Sequence, residues 1–171
     1  MVSRIVEVLG YPVYDCDSRA KWLMEHDRDL RGQLSRILGD EAYYDGHLDR
    51  AYVSRRIFGD KVLLQAINAA VHPAVARDLA QWRDSRQGTL CFAETAIART
   101  SGLDRVASRV WWVDAPIDVR VNRVMARNGV DESTVRQRIE AQGNETPRTT
   151  DCRIVNDGVT AVLPQIMALL R

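Results

Sequence analysis

Three short apolar runs, each closing on a carboxylate, constrain this chain more than any other feature. Tyr11-Pro-Val-Tyr-Asp15, Thr89-Leu-Cys-Phe-Ala-Glu94 and Arg109-Val-Trp-Trp-Val-Asp114 are short, apolar and rich in β-formers, so they read as buried strands. Ile154-Val-Asn156 is a last short strand. Between these runs the period is helical, and strands alternating with helical crossovers give a parallel α/β sheet with helices on both faces. Chemistry in such sheets gathers just beyond the C-terminal ends of the strands, which singles out Asp15, Asp17, Glu94, Asp114 and Asn156.

The helices are marked by their ends. Residues 3–10 form a short helix stopped by Gly10, and Asp17 is placed as the N-cap of a helical stretch, in one piece or two, closed by Gly39. Tyr44-Asp45-Gly46 is a turn. Helices follow over 49–58, 60–72 and 73–85, with Pro73 opening the last where a missing N–H is tolerated. Pro116 opens a basic helix ending at Gly129, Asp131 caps another reaching Gln142, residues 143–150 are a polar break, and a helix closes the chain. A length of 171 residues suits a single domain over 1–171, with a helical insertion over about 20–85 and a lid over about 116–150.

Composition excludes several classes. With 46% hydrophobic and 27% charged residues the chain has the makeup of a globular protein, and 24 basic against 23 acidic side chains argue against nucleic acid as a partner. No run approaches the roughly 18 apolar residues of a membrane span, and no basic-then-apolar leader opens the chain. Cys16, Cys91 and Cys152 are odd in number and far apart, which suggests neither a disulfide framework nor a zinc knuckle but a reducing, cytoplasmic setting.

Asp15-Cys16-Asp17 places two carboxylates at a strand end, where one could take a proton from a bound hydroxyl or help hold a metal, although an aspartate there is more often a plain helix cap. Arg120, Arg123 and Arg127 share one helix face, and Arg136, Arg138 and Arg148 carry the basic run into the polar break. Guanidiniums above strand ends suit a polyphosphate, while a solvated face with acidic partners is an equally good account of the row. Three scattered histidines make no metal cluster, and Trp111 and Trp112 point to opposite faces as core residues do. The chain contains no G-x-x-x-x-G-K-S/T loop, although the rest of its layout is that of a nucleotide-phosphate-binding protein.

In their order and spacing, several segments resemble the dephospho-CoA kinase family over nearly the whole chain. Val13-Tyr-Asp-Cys-Asp-Ser-Arg-Ala20 is similar to the family's V-I-D-A-D segment, and Gly46-His-Leu-Asp-Arg50 with Arg56-Ile-Phe58 to its G-x-L-x-R and I-F segments. Ile67-Asn-Ala-Ala-Val-His-Pro73 resembles L-N-x-x-x-H-P, while Arg123-Val-Met-Ala-Arg127 and Arg138-Ile-Glu-Ala-Gln142 resemble the lid motifs R-x-x-x-R and I-x-A-Q. The resemblance implies an ATP-dependent kinase acting on the ribose 3'-hydroxyl of dephospho-CoA, with magnesium, in the last step of coenzyme A synthesis. It implies that Asp17 is the general base and that Arg123, Arg127 and Arg148 stabilise the transferring phosphoryl group. Asp15, His72 and Glu94 would shape the dephospho-CoA side, and Asn156 the nucleotide side.

Two departures qualify that picture. The lid is shorter than the family's after Gln142, and Arg148 and Asp151 match only approximately there. Residues 1–6 match the helix that follows the family's G-K-S motif, so the first strand and its loop are missing from these residues. That strand is central in P-loop kinases of order 2-3-1-4-5, so the strands at 89–94 and 109–113 would either close the gap or leave an edge for self-association. The chain is thus expected to be a shortened kinase started at an internal methionine and inactive as it stands. The alternatives are a non-catalytic dephospho-CoA- or nucleotide-binding protein on the same scaffold, and another kinase of nucleoside-monophosphate type.

Overall fold

The computed structural model describes residues 1–141 and 145–171, with the backbone alone for Arg138 and Ala141. In chain order, α1 (Val2–Val8), β1 (Val13–Asp15), α2 (Cys16–His26) and α3 (Arg28–Leu38) lead to β2 (Tyr43–Tyr44) and β3 (His47–Leu48). There follow α4 (Arg50–Ile57), α5 (Lys61–Asp84), β4 (Phe92–Glu94), β5 (Trp111–Asp114), α6 (Ile117–Asn128), α7 (Glu132–Ala141), β6 (Cys152–Val155) and α8 (Val162–Leu169). Gln142, expected to end α7, and residues 143 and 144 of the polar break lie outside the described residues.

Aspartates start most of these helices because a short carboxylate reaches the N–H groups that the first turn leaves without partners. Asp27 accepts from the N–H of Leu30 at 2.8 Å, Asp49 from Tyr52 at 2.9 Å, Asp60 from Leu63 at 2.9 Å and Asp131 from Thr134 at 2.9 Å. Asp27 is also the C-cap of α2, so one residue ends a helix and begins the next. At the first strand the expectation is corrected: Asp15, in extended conformation, caps α2, and Asp17 lies inside its first turn. β1 ends on Asp15 itself, which leaves that residue and not Asp17 in cap geometry.

A second correction concerns Pro73. It opens no helix but lies inside α5, which runs unbroken over 24 residues. Buried Ile67, Ala70, Val71, Ala74, Val75 and Leu79 carry one apolar face across the proline, and burial of that face outweighs the one backbone bond Pro73 cannot make. Asp45-Gly46, read as a turn, closes a small antiparallel hairpin of β2 and β3, both residues at positive φ (48° and 82°) as a two-residue hairpin loop requires.

The chain forms two compact units. In the first, Tyr11–Thr95, β1 and β4 pair in parallel with Val13 opposite Phe92, Tyr14 opposite Ala93 and Asp15 opposite Glu94, while α2 and α3 pack on α5. Tyr14, Leu23, Leu30 and Leu34 form its core, each at most 4% exposed. The second unit comprises Met1–Gly10 and Ala96–Arg171. There β5 and β6 pair in parallel, with Val113 opposite Ile154, α1 packs on α8, and Val6, Val121, Val135, Ile154 and Ile166 are buried. Gln165 of α8 turns its amide onto the outer side of β6: it accepts the N–H of Val155 at 2.8 Å and donates to the carbonyl of Val155 at 3.0 Å. The strands read at 89–94 and 109–113 thus appear as β4, beside β1, and β5, beside β6, in separate two-stranded parallel sheets. Among the described residues no helix is long and apolar enough to cross a membrane.

Candidate active site

The β1–α2 junction sorts its two carboxylates into different tasks. Asp15 Oδ1 accepts the backbone N–H groups of Asp17 at 3.0 Å and Ser18 at 3.1 Å, and Ser18 Oγ donates to Oδ2 at 2.6 Å. These bonds, led by the Ser18 hydroxyl, hold the Asp15 carboxyl below the usual carboxylate range. Asp17 is exposed, and its carboxylate has no hydrogen-bond or ion-pair partner among the described residues. Cys16 between them is 4% exposed; burial first, then the charges of Asp17 and Asp15, push its thiol up to about 12. Glu94, exposed, stands opposite Asp15 at the end of β4, so one strand-end edge carries Asp15, Asp17 and Glu94.

Beneath that edge lies a group that the sequence reading did not single out. The Tyr14 hydroxyl donates to Asp78 Oδ2 at 2.5 Å, and Arg19 grips the same carboxylate with Nε on Oδ2 at 2.9 Å and Nη2 on Oδ1 at 2.6 Å. Tyr14 meets the Trp82 ring edge to face at 5.3 Å, and the Arg19 guanidinium lies 4.4 Å over Trp22. Arg19 above all holds the Asp78 carboxyl below its ordinary range, while burial and then Asp78 push the Tyr14 phenol upward. The available signal was a carboxylate at a buried-face position of α5, between Val75 and Trp82. His72, also on α5, is half-buried, and burial disfavours its imidazolium form. No hydrogen bond joins it to the strand-end carboxylates among the described residues.

In the second unit the arginines differ among themselves. Arg120, Arg123 and Arg127 all lie on the exposed side of α6, whose buried residue is Val121. Arg123 Nη1 donates to the carbonyl of Asn156 at 2.9 Å, which joins two residues picked out from sequence, and Asn156 Oδ1 is buried without a hydrogen-bond partner. Gly158, at φ +95°, leaves room beside this contact: a Cβ there would stand 3.6 Å from Arg123 Nη2. Arg127 Nε donates to the neighbouring Asn128 side chain at 3.1 Å. Arg148 is paired, Nη1 to Asp104 Oδ2 at 3.0 Å, and its backbone N–H is donated to Asp151. Asp151 in turn holds Arg99 at 2.5 Å, and Glu145 accepts the N–H groups of Arg99 and Thr100. Residues 145–151 are thereby tied to 99–104, a tether whose residues Arg99, Asp104 and Glu145 carried no motif. The Arg138 side chain and Gln142, assigned to the lid, lie outside the described residues.

Parallel strand pairs with carboxylates at their ends and helices as their crossovers define the class as an α/β protein. The fold agrees: a crystal structure of TT1252 from Thermus thermophilus is similar with a TM-score of 0.78 and 31% identity, covering 99% of this chain and 86% of that one. A dephospho-CoA kinase structure from Campylobacter jejuni, 18% identical with a TM-score of 0.66, shares the fold. The family model for dephospho-CoA kinase matches residues 1–161, and the dephospho-CoA kinase of Porphyromonas gingivalis is 38% identical over 99% of this chain and 86% of its own length. The chain belongs to the dephospho-CoA kinase family, the nucleotide-binding phosphotransferases of coenzyme A synthesis. Among the described residues no three His, Cys, Asp or Glu side chains converge on one point; magnesium beside a nucleotide takes one or two carboxylates together with the phosphates.

Proposed function

We propose that these residues form the acceptor side and the lid of the phosphorylation of dephospho-CoA by ATP. The observation that carries this reading is the division of labour at β1–α2, where Asp15 is engaged by the backbone and Asp17 stands exposed beside it. Asp17 takes the proton of the ribose 3'-hydroxyl as that oxygen attacks the γ-phosphorus of ATP and ADP departs with the bond's electrons. Asp15, His72 and Glu94 shape the pocket for dephospho-CoA, and Asn156 lies on the ATP side. Arg123 and Arg127 meet the phosphates, and Arg148 joins them after leaving Asp104.

A phosphoryl group also needs the backbone cradle and lysine of a G-K-S loop, and no Gly-Lys pair occurs in these 171 residues. The 171-residue chain is therefore proposed to bind dephospho-CoA and to transfer phosphate poorly or not at all. The same absence supports the second reading, a dephospho-CoA-binding protein without catalysis. Calorimetric titration with dephospho-CoA and an ADP-release assay test both. Expected are saturable dephospho-CoA binding and ADP release at background. Turnover at an ordinary kinase rate, about 1–100 per second, would overturn the need for the loop. An absence of dephospho-CoA binding would overturn the acceptor assignment.

A further inference from the structure

We infer that Asp78 is a positioning residue for Asp17, holding both ends of the turn that presents it; this rests on the reading that Asp17 meets the ribose 3'-hydroxyl. Tyr14 comes immediately before Asp15 and Arg19 immediately after Ser18, so the two groups bound to Asp78 bracket the capped turn. Asp15 closes that turn locally, through Asp17 and Ser18, but local bonds fix its shape and not its place on the fold. Asp78, on α5, supplies the place. Its Oδ2 takes the strand side through Tyr14, and both its oxygens take the helix side through the Arg19 fork. Tyr14 is 2% exposed and the Asp78 side chain 17%, so water competes weakly for the Tyr14 bond, while the Arg19 fork is partly exposed. Arg19 is further restrained by its stacking on Trp22. The effect of this assembly passes through the backbone that carries Asp17.

A positioning role and a merely structural one separate when two ligands are compared, dephospho-CoA and its analogue lacking the 3'-hydroxyl. Calorimetric titration of the 171-residue chain is expected to show preference for the hydroxyl-bearing ligand, and Asp17→Asn to abolish it. Asp78→Asn is expected to weaken dephospho-CoA about tenfold while leaving the deoxy analogue unchanged, with Asp78→Glu recovering part of the preference. Tyr14→Phe keeps the ring against Trp82 and removes one bond, so it gives the same pattern at a smaller size, about threefold, and carries the test if Asp78→Asn fails to fold. Equal weakening of both ligands in folded Asp78→Asn or Tyr14→Phe protein, or a preference left intact, would overturn the positioning role. If the unaltered chain shows no preference, or Asp17→Asn keeps it, the reading of Asp17 is what fails, and the inference falls with it.

Discussion

Asp15 Oδ1 accepts the backbone N–H of Asp17 at 3.0 Å, so the first of two neighbouring carboxylates is held in place by the residue that carries the second. Their substitutions should therefore have opposite signatures. Asp15→Ala is expected to destabilise the fold by about 1 kcal/mol, the usual cost of a lost N-cap. For a chain of this size that lowers the melting temperature by about 2–4 °C. Asp17→Ala should leave stability within about 0.5 kcal/mol and remove recognition of the 3'-hydroxyl. Thermal melts and calorimetric titration of the two variants check the contrast.

His72 predicts a pH dependence whose sign follows from burial. Its folded pKa lies below the unfolded value of about 6.5, so the unfolded chain binds the proton more readily. The contribution to stability is whole above pH 6.5 and declines as pH falls from there toward the lowered value. His72→Gln should flatten the melting temperature between pH 7 and about pH 5, a window above the carboxylate titrations. An unchanged slope in the variant would remove His72 as its source.

Thiol chemistry should single out one cysteine. Cys16 is 4% exposed with its pKa near 12, whereas Cys91 and Cys152 are partly accessible, and only a thiolate reacts quickly. Titration with a chromogenic disulfide reagent at pH 8 is expected to modify Cys91 and Cys152 in the native chain and Cys16 only after denaturant is added. Peptide mapping would identify which thiol lagged.

Pro73 is exposed and lies inside a continuous helix, so it can be replaced without opening a cavity. Pro73→Ala restores an N–H facing the carbonyl of Ala69, four residues back, and relieves the ring's clash with that turn. A gain of about 1–3 kcal/mol is expected in urea unfolding. The gain would disappear if α5 were two helices meeting at this residue.

Asp151, its side chain 5% exposed, compensates the buried Arg99 guanidinium. Asp151→Asn keeps the volume and removes the charge, and a loss of about 3 kcal/mol is expected because a buried cation is left without its counter-ion. Proteolysis between residues 145 and 151 should accelerate in parallel, since the same carboxylate holds the backbone N–H of Arg148.

These outcomes depend unequally on what could be read from the chain. The strand ends were legible because an apolar run closing on a carboxylate is a local pattern, and Asp15, Asp17 and Glu94 do share one edge. The exchange of roles between Asp15 and Asp17 was not, since which of them caps depends on the residue at which β1 ends. Pro73 misled for a related reason: proline reports a local preference, and the buried face of α5 overrode it. Asp78, and the tether of Arg99 and Asp104 to Glu145, Arg148 and Asp151, depend on partners many residues apart, from 44 between Arg148 and Asp104 to 64 between Tyr14 and Asp78. No spacing rule connects such pairs before the chain has folded.

The side-chain amide of Gln165 behaves as a one-residue strand. It answers both hydrogen-bonding groups of Val155, on the side of β6 away from β5. A foreign strand approaching that rim meets at Val155 neither a spare donor nor a spare acceptor to copy. The last strand therefore carries its own stopper, supplied by the helix that follows it, and its growth into a larger ribbon is checked at that point without a charge or a proline.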